Sequence, residues 1–548
     1  MLEIAVESRR DTSLPAPKTA GLTSIEFRFV FVGALCLALL TTIPYALGAV
    51  MHNAHSRFEG FLSFAPDFNA YFGFMRQARE GHWLFDNPFT PEPHGRVFFN
   101  LEWLVMGWLA SLFGGSMEWS LQITRIVSVF LLGGAFYWLA SFLFASVWMR
   151  RVAFLMGMTG GGFGWLLEIP FLNAPGRWGM FMDLYAGLHP FFWMLVQPHW
   201  LLVQALSILA LCLFLHAEQA GARRLYWLTG LSIAAVGAMR PWDMVYLCGA
   251  IVFYLLGTTP PRGESIRRAV FKLVPVLAPV APLLAYYLWL FRIHPLFRWY
   301  YLQNVGRGPA PQSLFLSLGL VGILFAFNLG KLGNFKGRSP ASVLVACAAL
   351  SSLVLMYSHP LFGNTWQFHQ TFLIPALLVG LIGREPDSAV LSKRRTWATA
   401  AAAVLLIVNA LTSGVLMVSF TREVLDAKHR TSHEILAGFD WLQRNSRPRE
   451  VVLASFDLSN RIPRHTHNVV FSGYAISTVR FDEKTAMVRQ FYDSRTDDVF
   501  RRKLIADYGV RYVMFGPEEK GKDTFTPGAS GFLEMVFSND LVAIYAAR

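Results

Sequence analysis

The chain has 548 residues, 54% hydrophobic, 15% aromatic and only 15% charged, with a formal charge of +13. A soluble protein of this size carries about 25% charged residues, so the composition excludes an ordinary soluble enzyme and points to a polytopic membrane protein. The positive balance does not indicate nucleic acid, because the basic residues alternate with apolar runs and do not gather into one patch.

In chain order, a polar tail over residues 1–28 precedes an apolar run, Phe29 to Val50, long enough to cross a bilayer. It shows no small-residue cleavage pattern and reads as a retained signal anchor. Further apolar runs lie near 122–148, 152–171, 199–216, 226–239, 243–258, 272–291, 312–330, 341–357, 368–383 and 396–420. They predict about eleven spans at roughly 20 residues each. The short runs 226–239 and 243–258 could form one kinked hairpin around Arg240-Pro241-Trp242-Asp243.

The basic residues supply an orientation. With the N-terminus cytoplasmic, Arg150 and Arg151, Arg223 and Arg224, Arg262, Arg267 and Arg268, Lys331, Lys336 and Arg338, and Arg384 with Lys393–Arg395 all fall inside. The opposite side receives 51–121, 172–198, 292–311, 358–367 and the C-terminal tail. Leu101–Gly114 is apolar but short, and counting it as a span would put Arg150 and Arg151 outside. It is expected to be a helix at the outer surface.

After a membrane domain over 29–420, the composition becomes charged and mixed through 421–548. Strands are predicted at 451–455, 468–472 and 510–515, and helices over His433–Arg444, Asp482–Tyr492 and Asp497–Tyr508, the last stopped by Gly509. These alternating elements predict a small extracytoplasmic α/β domain. The four cysteines (Cys36, Cys212, Cys248, Cys347) sit in apolar runs without CxxC spacing, indicating neither a disulfide framework nor a zinc site.

The polar residues gather in the outer loops. Asp67 opens the stretch Pro66-Asp67-Phe68-Asn69-Ala70-Tyr71. It can N-cap a helix over Phe68–Glu80 or present a fixed carboxylate as a general base. Elsewhere on this side lie Glu102, His189, Gln197, His199, Arg298, Arg307, His359, Gln367 and His369, among Trp200, Trp242, Trp299, Tyr300, Tyr301 and Trp366. Aromatic faces could hold a sugar and Arg or His a phosphate, although an aromatic belt would look the same. Arg240 and Asp243 read as an i,i+3 ion pair at a turn.

His189 and His199 are a weak metal signal, and no DxD pair occurs in an outer loop. Spacing therefore lends no support to a divalent metal, which stays open, and no cofactor is certain. No P-loop, dinucleotide fingerprint, GxSxG or HExxH is present, which argues against soluble nucleotide chemistry. In the tail, Arg461-Ile-Pro-Arg464-His465-Thr-His467 reads as a basic loop before a strand, either solvated or facing a phosphate or glycan.

Together these segments resemble the GT-C superfamily of polytopic membrane glycosyltransferases. The layout carries the likeness. Asp67 follows the first span, and Asp67–Tyr71 running on to Ala78-Arg79-Glu80-Gly81 resembles the family's first juxtamembrane helix. Leu101–Gly114, with Trp119 and Arg125 after it, resembles the second surface helix leading into span two. The family's acidic pair is replaced here by Pro66-Asp67.

The resemblance implies transfer of a sugar from a polyprenyl-phosphate donor to a lipid, glycan or protein acceptor on the outer face, with inversion. It implies a multi-pass protein of the inner (plasma) membrane and carries Asp67 over as the catalytic base. Arg298, Arg307, His359 and His199 are the expected substrate-binding residues, chosen by side of membrane and aromatic surroundings. A non-catalytic assembly protein and a lipid or glycan transporter are the alternatives. The near absence of mid-span charge weighs against transport.

Overall fold

The computed structural model describes residues 22–51, 55–169, 178–260, 263–331, 338–359, 361, 363–383, 388–520, 524–525 and 527–548. The polar tail up to residue 21 and the basic residues Arg262, Lys336 and Arg384 lie outside the described residues.

Helix α1 (Ser24–Val50) starts with a capping box: Thr23 Oγ1 accepts from the Glu26 amide, and Glu26 reaches back to the Thr23 amide. The same Glu26 carboxylate takes Arg150 Nη1 at 2.8 Å, tying α1 to the helix that carries Arg150. A short strand β1 (Ser56–Phe58) leads to α2 (Ala65–Arg79) and α3 (Leu101–Leu112). These two pack closely at Gly107, where a Cβ would stand 2.4 Å from that of Ala78.

The helical domain continues with α4 (Met117–Leu143), α5 (Val147–Thr159), α6 (Pro190–Leu195), α7 (Pro198–Ala220), α8 (Arg223–Met239) and α9 (Pro241–Thr258). Then come α10 (Gly263–Leu277), α11 (Ala281–Leu288), α12 (Arg298–Gln303), α13 (Pro311–Leu318), α14 (Leu320–Asn328), α15 (Pro340–Met356), α16 (Leu373–Leu381) and α17 (Ser388–Leu425). One continuous apolar core joins α1, α4, α5, α7–α9 and α13–α16.

Among the described residues, five helices are long and apolar enough to cross a membrane, or up to seven if each bent pair is one span. That is fewer than the eleven expected, although every expected run contains helix. The reason is local. α10 and α11 meet at 59° and α13 and α14 at 112°. The first break holds Pro279, with Pro282 in the first turn of α11, and the second turns on Gly319 at φ 59°. α5 stops at Gly160-Gly161-Gly162, and the run 368–383 is part 3₁₀ turn, part short helix. The protein is a multi-pass membrane protein by its apolar helices.

The C-terminal segment holds β2 (Arg430–Ser432), α18 (His433–Asn445), β3 (Val451–Leu453), α19 (Phe456–His465), β4 (Val469–Val470), α20 (Phe481–Tyr492), α21 (Asp498–Tyr508), β5 (Val510–Phe515), β6 (Leu533–Ser538) and β7 (Ala543–Ala547). Five strands form a sheet in the order β4-β3-β5-β7-β6, parallel across the first three and antiparallel beyond. Residues alternate between its faces. Val452, Tyr512, Met514 and Ile544 meet α18 and α19 on one side, while Val451, Leu453, Val513 and Tyr545 meet α20 and α21 on the other.

The stretch expected as a basic loop, 461–467, is instead mostly helix: α19 packs on α2 and carries Arg464 to Asn69, while Arg461 pairs with Glu59 and Asp457. Arg464 is buried. It donates to Asn69 Oδ1 (3.2 Å), the Glu59 carbonyl (2.8 Å) and Glu118 Oε1 (2.7 Å), so it is engaged by protein and does not face an open phosphate site. An antiparallel pairing of β1 with β2 makes a second link between the first loop and the tail.

Candidate active site

Asp67 sits in the first turn of α2, not at its N-cap. The cap position is Phe64, in left-handed backbone at φ 52°, with Pro66 inside the first turn. The expectation that Asp67 caps a helix beginning at Phe68 is therefore corrected: the helix starts three residues earlier. Its carboxylate is free of capping duty and points at the tail, where the Tyr474 phenol donates to Oδ1 at 2.8 Å. Burial pushes the Asp67 carboxyl above the ordinary carboxylate range, with the Tyr474 hydrogen bond opposing the rise.

Asp67 opens into a cavity of about 190 Å³ built from four parts of the chain. α2 and α3 supply Asp67, Tyr71, Glu102 and Trp103. The ends of α7, α8 and α9 supply His199, Trp200, Arg240 and Trp242. The α12 region gives Tyr300 and Asn304, and the tail gives Tyr474, Ile476 and Ser477. Tyr71 stacks on Trp103 with centroids 4.2 Å apart, and the His199 ring stands edge-on to Tyr71 at 5.0 Å. Such a wall offers flat apolar faces with a few fixed polar groups, the usual make-up of a ligand pocket.

Arg240 is the cation of this cavity. It occupies the one-residue break between α8 and α9, in extended backbone. Nη1 lies 3.2 Å from Asp243 Oδ2, Nη2 donates to Gln367 Oε1 at 2.8 Å, and the guanidinium lies over the Trp200 ring at 5.2 Å. The ion pair with Asp243 is the one expected from their spacing, but the arginine also faces the cavity, which the sequence reading did not assign. Glu102 is a second buried carboxyl here. Its Oε1 has no hydrogen-bond partner among the described residues, and burial holds it well above the usual carboxylate range against the pull of Arg240. That direction favours the protonated form, in which the carboxyl can donate as well as accept.

Of the expected substrate-binding residues, His199 lines the cavity with Asp67. Arg298 and Arg307 are exposed and His359 is half-buried, and none of the three lines it. Tyr71, Glu102, Arg240 and Tyr474 were not singled out for a role from sequence. Among the described residues, no group of three or more His, Cys, Asp or Glu is placed to hold a metal ion.

No sequence-family model matches the chain, and no curated protein matches it. Solved structures do match. An oligosaccharyltransferase of Archaeoglobus fulgidus, tethered with an acceptor peptide containing the NVT sequon, aligns at 12% identity with a TM-score of 0.51, over 89% of this chain and 69% of its own. The same organism's oligosaccharyltransferase AglB, in complex with an inhibitory peptide and a dolichol-phosphate, aligns at 11% identity and a TM-score of 0.50, over 90% and 70%. The arabinofuranosyltransferase AftD from mycobacteria aligns at 15% identity and a TM-score of 0.53 over 96% of this chain, which spans 40% of that protein. At these identities the likeness is one of fold.

Proposed function

We propose that this chain, whose fold is that of the GT-C superfamily of membrane glycosyltransferases, transfers a sugar from a polyprenyl-phosphate donor to an acceptor hydroxyl or amide. The observation that carries the proposal is the shared cavity. A carboxylate fixed by Tyr474, an arginine and a set of aromatic faces converge on one space beside the membrane helices. That the AglB structure holds a dolichol-phosphate supports a lipid-phosphate leaving group here.

In this reading the acceptor enters between Asp67 and the aromatic wall. Asp67 takes the acceptor proton as its heteroatom bonds to the anomeric carbon from the face opposite the phosphate, so the centre inverts. The C–O bond to phosphate breaks, its electron pair staying on the departing lipid phosphate. Arg240 stabilises the charge that develops there. It replaces Arg298, Arg307 and His359 in that role because it lines the cavity and they do not. His199 and Glu102 hold sugar hydroxyls. In this reading the N-terminus is cytoplasmic and the C-terminal domain extracytoplasmic, an orientation supported by the basic loops, and the site opens on the outer face of the plasma membrane.

The test pairs purified protein with a panel of radiolabelled polyprenyl-phosphate sugars and compares wild type with Asp67→Asn. Asn keeps the size and can still accept from Tyr474, but it is not a base. The expected result is transfer by wild type that falls by about 10²–10⁴-fold in the variant, with unchanged thermal unfolding. Equal transfer by both would remove the base role from Asp67. No transfer from any donor by wild type would overturn the glycosyltransferase reading itself.

A further inference from the structure

A second and larger cavity, of about 490 Å³, lies between the C-terminal end of α1 and the N-terminal end of α4, and it shares no lining residue with the Asp67 cavity. Its walls include Tyr45, Ala46, Ile126, Arg125, Trp119 and Arg430. Trp119 is 64% exposed at its edge and Val50, at the end of α1, is 75% exposed. An apolar cavity rimmed by an exposed tryptophan, at the ends of two helices long and apolar enough to cross a membrane, suits headgroup depth.

Its charge is unbalanced. Arg125 is fully buried, and its Nε and Nη atoms donate to Gln122 Oε1 (2.8 Å), Thr41 Oγ1 (2.9 Å), the Met194 carbonyl (3.3 Å) and Thr42 Oγ1 (2.7 Å). All four acceptors are neutral, and a guanidinium has five N–H donors. No carboxylate pairs with it among the described residues. Arg430 likewise donates to the carbonyls of Gly48, Met51 and Ser56. The one acid of the lining, Glu118, is already held by Arg464 at 2.7 Å and approached by Arg57 at 3.6 Å. A buried cation without a counter-charge is costly unless an anion joins it.

We infer that this cavity binds an anionic phospholipid of the surrounding bilayer, its phosphodiester at Arg430 and held by the charge of Arg125 buried in the wall behind, its chain along Tyr45, Ala46 and Ile126. The occupant is a resident lipid and not a reacting one, because the only carboxylate in the lining is occupied by arginines and the Asp67 cavity is separate. The site stands whether or not the chain proves to be a glycosyltransferase.

The experiment uses delipidated full-length protein in detergent, equilibrated with phosphatidylglycerol or phosphatidylcholine and read by native mass spectrometry. Wild type should retain phosphatidylglycerol under activation that strips phosphatidylcholine. Arg125→Gln should lower that retention by about tenfold or more. Ala46→Phe fills the apolar part while leaving every arginine contact in place, and it should do the same with unchanged thermal unfolding in lipid-free detergent. Equal retention by wild type and Ala46→Phe, or equal retention of the two lipids, would overturn the site. Displacement by inorganic phosphate alone, or by an equimolar polyprenyl phosphate, would overturn the assignment to a bilayer phospholipid.

Discussion

Asp67 and Tyr474 join the first loop to the tail wall of the proposed reaction centre, and their chemistry makes a signed prediction. A base must be ionised, so transfer should fall as the pH drops through the Asp67 pKa, which burial has raised. The Tyr474 hydrogen bond favours the ionised form. Tyr474→Phe removes it and should raise the pKa further, moving the acid limb of kcat/KM to higher pH by about one unit. A pH profile of the two proteins checks this, and a limb that stays in place would mean that Asp67 does not set it. Arg240→Lys keeps the charge beside Asp243 but loses the fork that also reaches Gln367. It should lower kcat about 10²-fold with little change in thermal unfolding. Asp67 was legible in the sequence because a polar residue after the first apolar run stands out. Tyr474 was not, since no local pattern marks a tyrosine that will meet a carboxylate 407 residues away.

At the level of elements, α19 decides how the tail meets the membrane domain. Proline within a basic, His-bearing stretch favours a loop reading, yet Pro463 falls near the end of α19 and its carbonyl accepts Arg76 Nε at 3.0 Å. Arg464→Gln leaves Glu59 and Glu118 with less countercharge and should destabilise the docked tail by roughly 3–5 kcal/mol. Hydrogen exchange should then rise across α18–α19 and β2, while α7 and α9 stay protected. Unchanged exchange would mean that the remaining links, among them the β1–β2 pairing, Arg76 to the Pro463 carbonyl and Lys484 to Glu92, suffice to hold the tail. Helices α18, α20 and α21 and strands β3–β5 follow their sequence patterns because each buries one face. Strands β6 and β7 were missed: β6 is largely exposed along its length and shows no clean alternation. Arg240 had a readable signal, a cation in a one-residue break between two apolar helices on the Asp67 side. Its local pairing with Asp243 hid the second role.

For the whole molecule, the apolar runs of the sequence each contain helix, but run length does not report bends. A window of hydrophobicity counts residues and is blind to prolines and glycines that turn the path by 59° or 112°. The composite cavity carries the corresponding prediction. Since Tyr474, Ile476 and Ser477 form part of its lining, a chain ending at Leu425 should insert into membranes yet show no transfer above background, although Asp67, Arg240 and His199 are all intact. Transfer by that truncated chain would place the chemistry wholly within the helical domain.

Protein synthesis proceeds from the amino end, and the phenol that holds Asp67 is made 407 residues after it. At about 5–20 residues per second, that gap lasts roughly 20–80 s. Throughout it, the nascent chain already has its first helices in the bilayer, among the very lipids the finished protein would act on, but its carboxylate has no partner and its cavity has no far wall. On the proposed chemistry, birth order alone would keep the growing polypeptide inert until its last quarter has folded back onto its first.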